Sequence, residues 1–238
     1  MWWDGHVADQ RDERVVGVDG CRRGWVGVVL GPGDAVAAVC GATISEVVSA
    51  AGDVAVAAVD MPMHLHDALR PCDDAARERL LGKQSSLFLA PPRAVLDAPS
   101  YVEACTVARG LTGKAISQQL WALRRKILEV EAWLSSAPCA VYEVHPELSF
   151  AEMTGNPILP RKTSWTGYVD RRSALAAADV VVPDNIGEAG SFAAADDVLD
   201  AAAAAWSARR IAAGTAVTFP DVPLTLTTPT RRVQAIWA

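Results

Sequence analysis

Aromatic residues are scarce in this chain, and long uncharged apolar runs are missing altogether. Phe, Trp and Tyr make up 6% of the 238 residues, and alanine carries much of the 51% hydrophobic fraction. No run of roughly 18 apolar residues escapes a charge or a breaker, so no membrane-spanning helix is expected. The opening residues, Met1-Trp2-Trp3-Asp4 through Glu13, contain acids and no apolar stretch, which argues against a secretory leader. The five cysteines (Cys21, Cys40, Cys72, Cys105 and Cys139) are odd in number, scattered and free of any CxxC pair. That pattern disfavours a disulfide framework or a structural zinc site and fits a reduced cytoplasm. A phosphate-binding P-loop is also missing. Gly110-Leu111-Thr112-Gly113-Lys114-Ala115 is too short and lacks Ser or Thr after the lysine, and neither GxSxG nor HExxH occurs.

What is present is a chain long enough for one large domain with a full core. Its charged fraction, 21%, excludes a disordered polyelectrolyte. The net charge of −6 is uneven: between Met61 and Val130 ten Lys/Arg face seven Asp/Glu, a local +3. Net charge therefore does not exclude a nucleic-acid partner, because the surplus carboxylates elsewhere could serve as metal ligands.

Hydrophobic patterning gives the core. Val15 to Val18, ending in Asp19-Gly20, reads as a strand; Trp25 to Leu30 and Ala35 to Cys40 follow after short turns, an antiparallel meander. Ser45 is an N-cap candidate for a helix to Ala50, and the continuous apolar run Val54 to Val59 reads as a strand buried on both faces. The order is β-β-β-α-β. A crossover that returns the fourth strand beside the first would place Asp19 and Asp60 at adjacent carboxyl ends, where open α/β sheets bind ligands. Residues 67–136 read as a helical insertion, with helices at 67–82, 101–108 and 117–135 around a polar loop from Gly82 to Arg93. A fifth strand at 140–144, helices at 164–178 and 193–213, and an edge strand in the tail complete an α/β fold with a mixed five-stranded sheet flanked by helices. Residues 1–13 are expected to be a flexible lead-in to one domain, 14–238.

Four groups of residues could carry chemistry. Asp19 and Asp60 end apolar strands, where a buried carboxylate needs a cation or hydrogen bonds; capping their turns is the alternative role. Asp197 and Asp200 share a helix face, and acids in a first turn, Asp196 included, also suit the helix dipole. Glu143, His145 and Glu147 would share one strand face if the strand continued past Pro146, as ligands, proton carriers or an ion-pair network. His64 and His66, close after Asp60, are weaker candidates. Lys83, Ser85, Ser86, Arg93, Gln118, Lys126 and Lys162, with Arg70, Arg77, Gln84 and Arg161, could hold phosphate, or form ordinary solvated surface.

The segments Val16-Gly17-Val18-Asp19-Gly20-Cys21 with Gly24-Trp25, Val59-Asp60-Met61-Pro62, Ser85-Ser86-Leu87-Phe88 with Pro92-Arg93, Lys126-Ile127 with Glu129, Glu143-Val144-His145-Pro146-Glu147 with Phe150, and Asp197 with Asp200-Ala201 form a run of signatures. With Cys72-Asp73, Ala76-Arg77, Gln118 and Trp121 they resemble, in order over about residues 14 to 237, a prokaryotic family known only as a domain of unknown function and usually predicted to be ribonuclease H-like nucleases. The resemblance implies a ribonuclease H-like core with the first-strand acid at Asp19, the fourth-strand acid at Asp60, and the last-helix acids of the resolvase-like branch at Asp197 and Asp200. The glutamate that ribonuclease H carries on its first helix has no clear equivalent, Glu46 being an imperfect match. Glu143 and His145 are distinctive of the family rather than of the superfamily.

The expected function is a metal-dependent nuclease in which Asp19, Asp60, Asp197 and Asp200 hold Mg²⁺ or Mn²⁺, Glu143 completes the shell and His145 shuttles a proton near its ordinary pKa of about 6.5. A small-molecule phosphate or nucleotide enzyme on the same fold, and a catalytically silent binding protein, are the alternatives. A groove flanked by Arg93, Lys126 and Lys162 would indicate a polymer, and a closed pocket a metabolite. Nucleic acid is the expected partner, no membrane is, and a homodimer is compatible with the chain.

Overall fold

The computed structural model describes residues 13–226 and 232–238. The expected flexible lead-in, apart from Glu13, lies outside these residues. Three antiparallel strands open the fold, β1 (Val15–Cys21), β2 (Gly24–Leu30) and β3 (Val36–Gly41). Helix α1 (Ile44–Ala50) then crosses to β4 (Val56–Val59), which pairs parallel to β1. After the insertion, β5 (Ala140–Glu143) pairs parallel to β4, and the sheet order is β3-β2-β1-β4-β5. This mixed sheet with its β-β-β-α-β start is consistent with a ribonuclease H-like fold. The cap of α1 is Thr43 rather than Ser45. Its side chain accepts from the Glu46 amide while the Glu46 carboxylate accepts from the Ala42 amide, a reciprocal pair that satisfies free amide donors at the helix start.

Strand alternation sorts the core into two layers. Val16, Val18, Ala57 and Val59 face α1 and the long insertion helix α5 (Gln118–Trp133). Val15, Cys21, Val56 and Ala58 face three later helices, α6 (Pro146–Thr154), α7 (Trp165–Ala177) and α9 (Ala195–Ala212). The short α8 (Ala189–Phe192) precedes α9. The insertion also holds α2 (Pro71–Arg79), α3 (Arg93–Leu96) and α4 (Tyr101–Thr112). Helix α2 is shorter than the expected 67–82 because Pro71, which lacks an amide donor, is tolerated only in the first turn. Helix α6 is not among the expected elements; Pro146, which limits the strand, occupies its first position.

The tail does not extend the main sheet. Strands β6 (Thr218–Leu226) and β7 (Arg232–Trp237) form their own antiparallel pair, joined to the main sheet by a single parallel bridge between Val144 and Trp237.

Helix α9 lies against β1 at backbone distance. A Cβ built on Gly17 would come within 1.9 Å of the Ala205 amide nitrogen and 2.3 Å of the Ala201 carbonyl oxygen. Ala201 to Ala205 are all fully buried, so small side chains on both partners allow the approach. The alanine run is thus a packing surface. Gly17→Ala is expected to force helix and strand apart and to cost about 3 kcal/mol, measured as a lower urea midpoint with the denaturant slope unchanged.

Candidate active site

Because side chains alternate, Gly17, Asp19 and Cys21 leave β1 on the α9 face, and Asp60, two residues after Ala58, leaves β4 on the same face. The Asp60 amide donates to the Val18 carbonyl at 2.9 Å, which keeps the two strands paired up to the acids. Asp200 immediately precedes the alanine run, so the close packing of α9 carries it to the level of Asp19. Asp197 lies one turn earlier. Three elements remote in sequence therefore bring Asp19, Asp60, Asp197 and Asp200 into mutual electrostatic reach.

Their titration shows the strain of that meeting. Burial raises the Asp19 carboxyl well above its ordinary range, and the charges of Asp60 and Asp200 add to the rise. Burial, then Asp200, pushes Asp60 up to about 8. Burial pushes Asp200 up to about 6, although the ammonium of Lys162 opposes it. Asp197 is raised by burial and by its neighbour Asp196. Lys162 is the cation of the cluster, with Nζ 2.5 Å from Asp200 Oδ2 and 3.8 Å from Asp196 Oδ2. Burial opposes its charge, yet Asp200, Asp19 and Asp60 outweigh that and raise its pKa.

Other acids of the region are already neutralised. Tyr142 and Val144 lie in the α9-side layer and Val141 packs in the other, so Glu143 leaves the sheet on the insertion side. There both its oxygens accept from Arg70, at 2.5 and 2.7 Å, and the Met63 amide donates to it at 2.8 Å. Arg70 also pairs with Asp73. Glu143 is thus a structural ion-pair partner, and its expected place in a metal shell is corrected. Glu147 falls on α6 instead of a strand face. Its two oxygens both accept from Nη2 of Arg171, at 2.6 and 2.8 Å, and Oε1 also accepts from Lys83 at 3.2 Å.

His145 lines both cavities. Burial lowers its pKa to about 4, so the ring is neutral at pH 7, and its Nδ1 is buried without a hydrogen-bond partner.

Two adjoining cavities meet at Asp60, Ser86, Gln119, His145 and Lys162. The first, about 250 Å³, adds Asp19, Asp197, Glu143 and Phe88. The second, about 340 Å³, adds Asp200, Lys83, Ser85 and Arg161. Of the expected phosphate-binding residues, Ser85, Ser86, Lys83 and Lys162 line them, although Lys83 is held by Glu147 and by the carbonyls of Ile158 and Pro160. Gln118 is exposed at the start of α5 and it is Gln119 that faces the site, a one-residue shift that 3.6-residue periodicity makes hard to place from sequence. Arg93 pairs with Asp97 one turn on and is not part of either cavity wall. Lys126 donates to the Gly24 carbonyl and lies over the Trp25 ring, so it reaches Asp19 and Asp197 only through its charge. Of the three side chains whose flanking of a groove would indicate a polymer, Lys162 borders these cavities and Arg93 and Lys126 do not. Gln119 and the buried Arg171 are what the sequence did not mark, and Arg70, read there as a phosphate ligand or solvated surface, is a buried ion-pair partner.

Among the described residues, no three Asp, Glu, His or Cys side chains are already gathered as a metal cage. The chemistry of the donors nevertheless fits a hard divalent cation. Asp19, Asp60, Asp197 and Asp200 supply oxygen donors, Lys162 supplies the compensating charge, and Asp200 Oδ1 is buried with no hydrogen-bond partner.

Two expectations follow. Arg70→Met leaves Glu143 and Asp73 buried without a counter-charge and should cost about 3–5 kcal/mol of stability, read as a chemical-unfolding midpoint. In chelator, Asp60 and Asp200 have raised native pKa values, so their stabilising contribution is complete below about pH 4 and is lost as pH rises through about 6 and then about 8. Thermal melts should show a falling Tm over that range, and Asp60→Asn should flatten the upper part of the fall.

A family model described as protein of unknown function (DUF429) matches residues 17–225. No curated protein and no solved structure matches the chain.

Proposed function

The chain belongs to the DUF429 family of proteins of unknown function, and we propose that it is a metal-dependent phosphodiester hydrolase acting on nucleic acid. The observation that carries this reading is the gathering of Asp19, Asp60 and Asp197 on one cavity and of Asp60 and Asp200 on the cavity adjoining it, with Lys162 bordering both. Burying like charges together is costly unless a cation joins them. Asp19, Asp60 and Asp200, with Asp197 beside them, would hold Mg²⁺ or Mn²⁺. Such an ion, when bound, supplies Lewis-acid charge for a phosphoryl oxygen and a more acidic water.

The chain's own groups do the rest. Lys162, which borders both cavities, offers its ammonium to a non-bridging phosphate oxygen. Ser85 and Ser86 add neutral donors on the opposite wall. His145, neutral at pH 7, lines both cavities as an uncharged wall. Leu87 and Phe88 cover one side of the first cavity and limit the access of bulk water.

The cavity size favours a second reading, a small phosphate ester or nucleotide as substrate. Volumes of about 250 and 340 Å³ lie at the small end of ligand pockets.

The test is Asp60→Asn with Mn²⁺ present, assayed on single-stranded DNA, duplex, junction and RNA, and on phosphomonoesters and nucleotides. Cleavage of a polynucleotide should fall at least a hundredfold with the unfolding midpoint undiminished. Equal rates in clean mutant and wild-type preparations would reject the hydrolase, and turnover confined to small esters would select the second reading.

A further inference from the structure

The most exposed large apolar side chain described here stands next to the acidic centre. Trp165, the first residue of α7, is 80% exposed. Its ring stacks on that of Tyr168 one turn on, with centroids 6.2 Å apart and planes inclined by 29°. The two rings border a shallow cavity of about 400 Å³ together with Thr163, Ala195, Asp196 and Lys162. Lys162 is shared with both cavities of the acidic site, so the aromatic shelf and the carboxylates meet at one ammonium.

The shelf is rigidly mounted. Ser164 caps α7 by accepting from the Gly167 amide. A Cβ on Gly167 would meet the Arg161 carbonyl oxygen at 2.0 Å, so the first turn of α7 is pressed against the strand of chain that carries Lys162. The fully buried Arg171 donates to the carbonyls of Pro160 and Gly167 and to Glu147, tying α7, that chain segment and α6 together. Arg172 holds the Tyr168 hydroxyl at 3.2 Å. A ring pair fixed in this way presents a flat π surface at little entropic cost.

We propose that Trp165 and Tyr168 form a stacking platform for an unpaired nucleobase, which makes single-stranded nucleic acid the substrate class. The assignment builds on the hydrolase reading of the acidic site. A base on the platform places its own phosphate at Lys162, where the shelf opens into the carboxylate cavity. Arg161, exposed and on the wall of the second cavity, lies along the same path for a neighbouring phosphate. Duplex bases have both faces covered by their neighbours, whereas an unpaired base has a free face for an aromatic side chain. A second copy of the chain is the less suitable occupant: a stable protein interface takes roughly 800 Å² per partner, and two rings edged by Lys162 and Asp196 form a small patch.

Binding of a dye-labelled oligothymidylate, followed by fluorescence anisotropy with Ca²⁺ present, tests the platform. Trp165→Ala should weaken binding about tenfold, Trp165→Phe much less, and the quenching of tryptophan fluorescence by the oligonucleotide should be lost with Trp165→Ala. The platform is overturned if Trp165→Ala binds as wild type does, if wild type fails to bind the oligonucleotide, or if duplex or free thymidine monophosphate binds as tightly as the single strand. A change in native mass with unchanged oligonucleotide binding would overturn it in favour of a second copy. Trp165-dependent binding without cleavage in Mg²⁺ or Mn²⁺ supports the platform and sinks the hydrolase, whereas Asp60-dependent cleavage of single strands indifferent to Trp165→Ala does the reverse.

Discussion

The architecture of the site depends on how closely α9 can approach β1. Gly17 has no side chain and Ala201 to Ala205 have the smallest ones, so helix backbone meets strand backbone. A larger residue on either partner would lift Asp200 away from Asp19. The same contact explains why an alanine-rich chain with few aromatics builds a firm core: on this face the packing comes from close backbone approach rather than from bulky side chains.

Around that contact the buried acids divide into two kinds. Glu143 and Glu147 are matched by guanidinium groups in bidentate geometry, Arg70 on one side of the sheet and Arg171 on the other. These pairs fasten the insertion and α7 to the carboxyl ends of the strands. Burial raises the pKa values of Asp19, Asp60 and Asp200, neighbouring carboxylates add to the rise, and Lys162, whose charge lowers all three, cannot by itself neutralise three carboxylates. The contrast between guanidinium-paired glutamates and aspartates gathered around Lys162 marks the candidate site more sharply than acidity alone. It also explains the role of the pair distinctive of the family: Glu143 braces the wall, and His145 turns a neutral ring toward the cavity.

Period-2 hydrophobicity and short turns were enough to derive the meander and the crossover; that the fourth strand lies beside the first, and so brings Asp19 next to Asp60, was a condition which the observed parallel pairing meets. The i, i+3 spacing placed Asp197 and Asp200 on one helix face. Less legible was the segment after Glu143. A strand pattern and a helix start are compatible with the same few residues, and Pro146 serves either as a strand end or as a first helical position. Choosing the strand put Glu143, His145 and Glu147 on one face, whereas the helix sends Glu147 to Arg171. The basic residues were harder still, since a lysine or arginine in a sequence carries no sign of its partner. Arg93 found Asp97, Lys126 found the Gly24 carbonyl and Trp25, and only Lys162 stayed at the centre.

By itself the sequence determined the β-β-β-α-β start, the two faces of its strands and which acids end its first and fourth strands, because alternation and helical periodicity are local properties of the chain. Tertiary structure alone decided which charges are neutralised, which cavity they border and where Trp165 stands relative to them. Those outcomes depend on distances between segments far apart in the chain, set by how closely helices and sheet can pack, and no local pattern encodes such a distance.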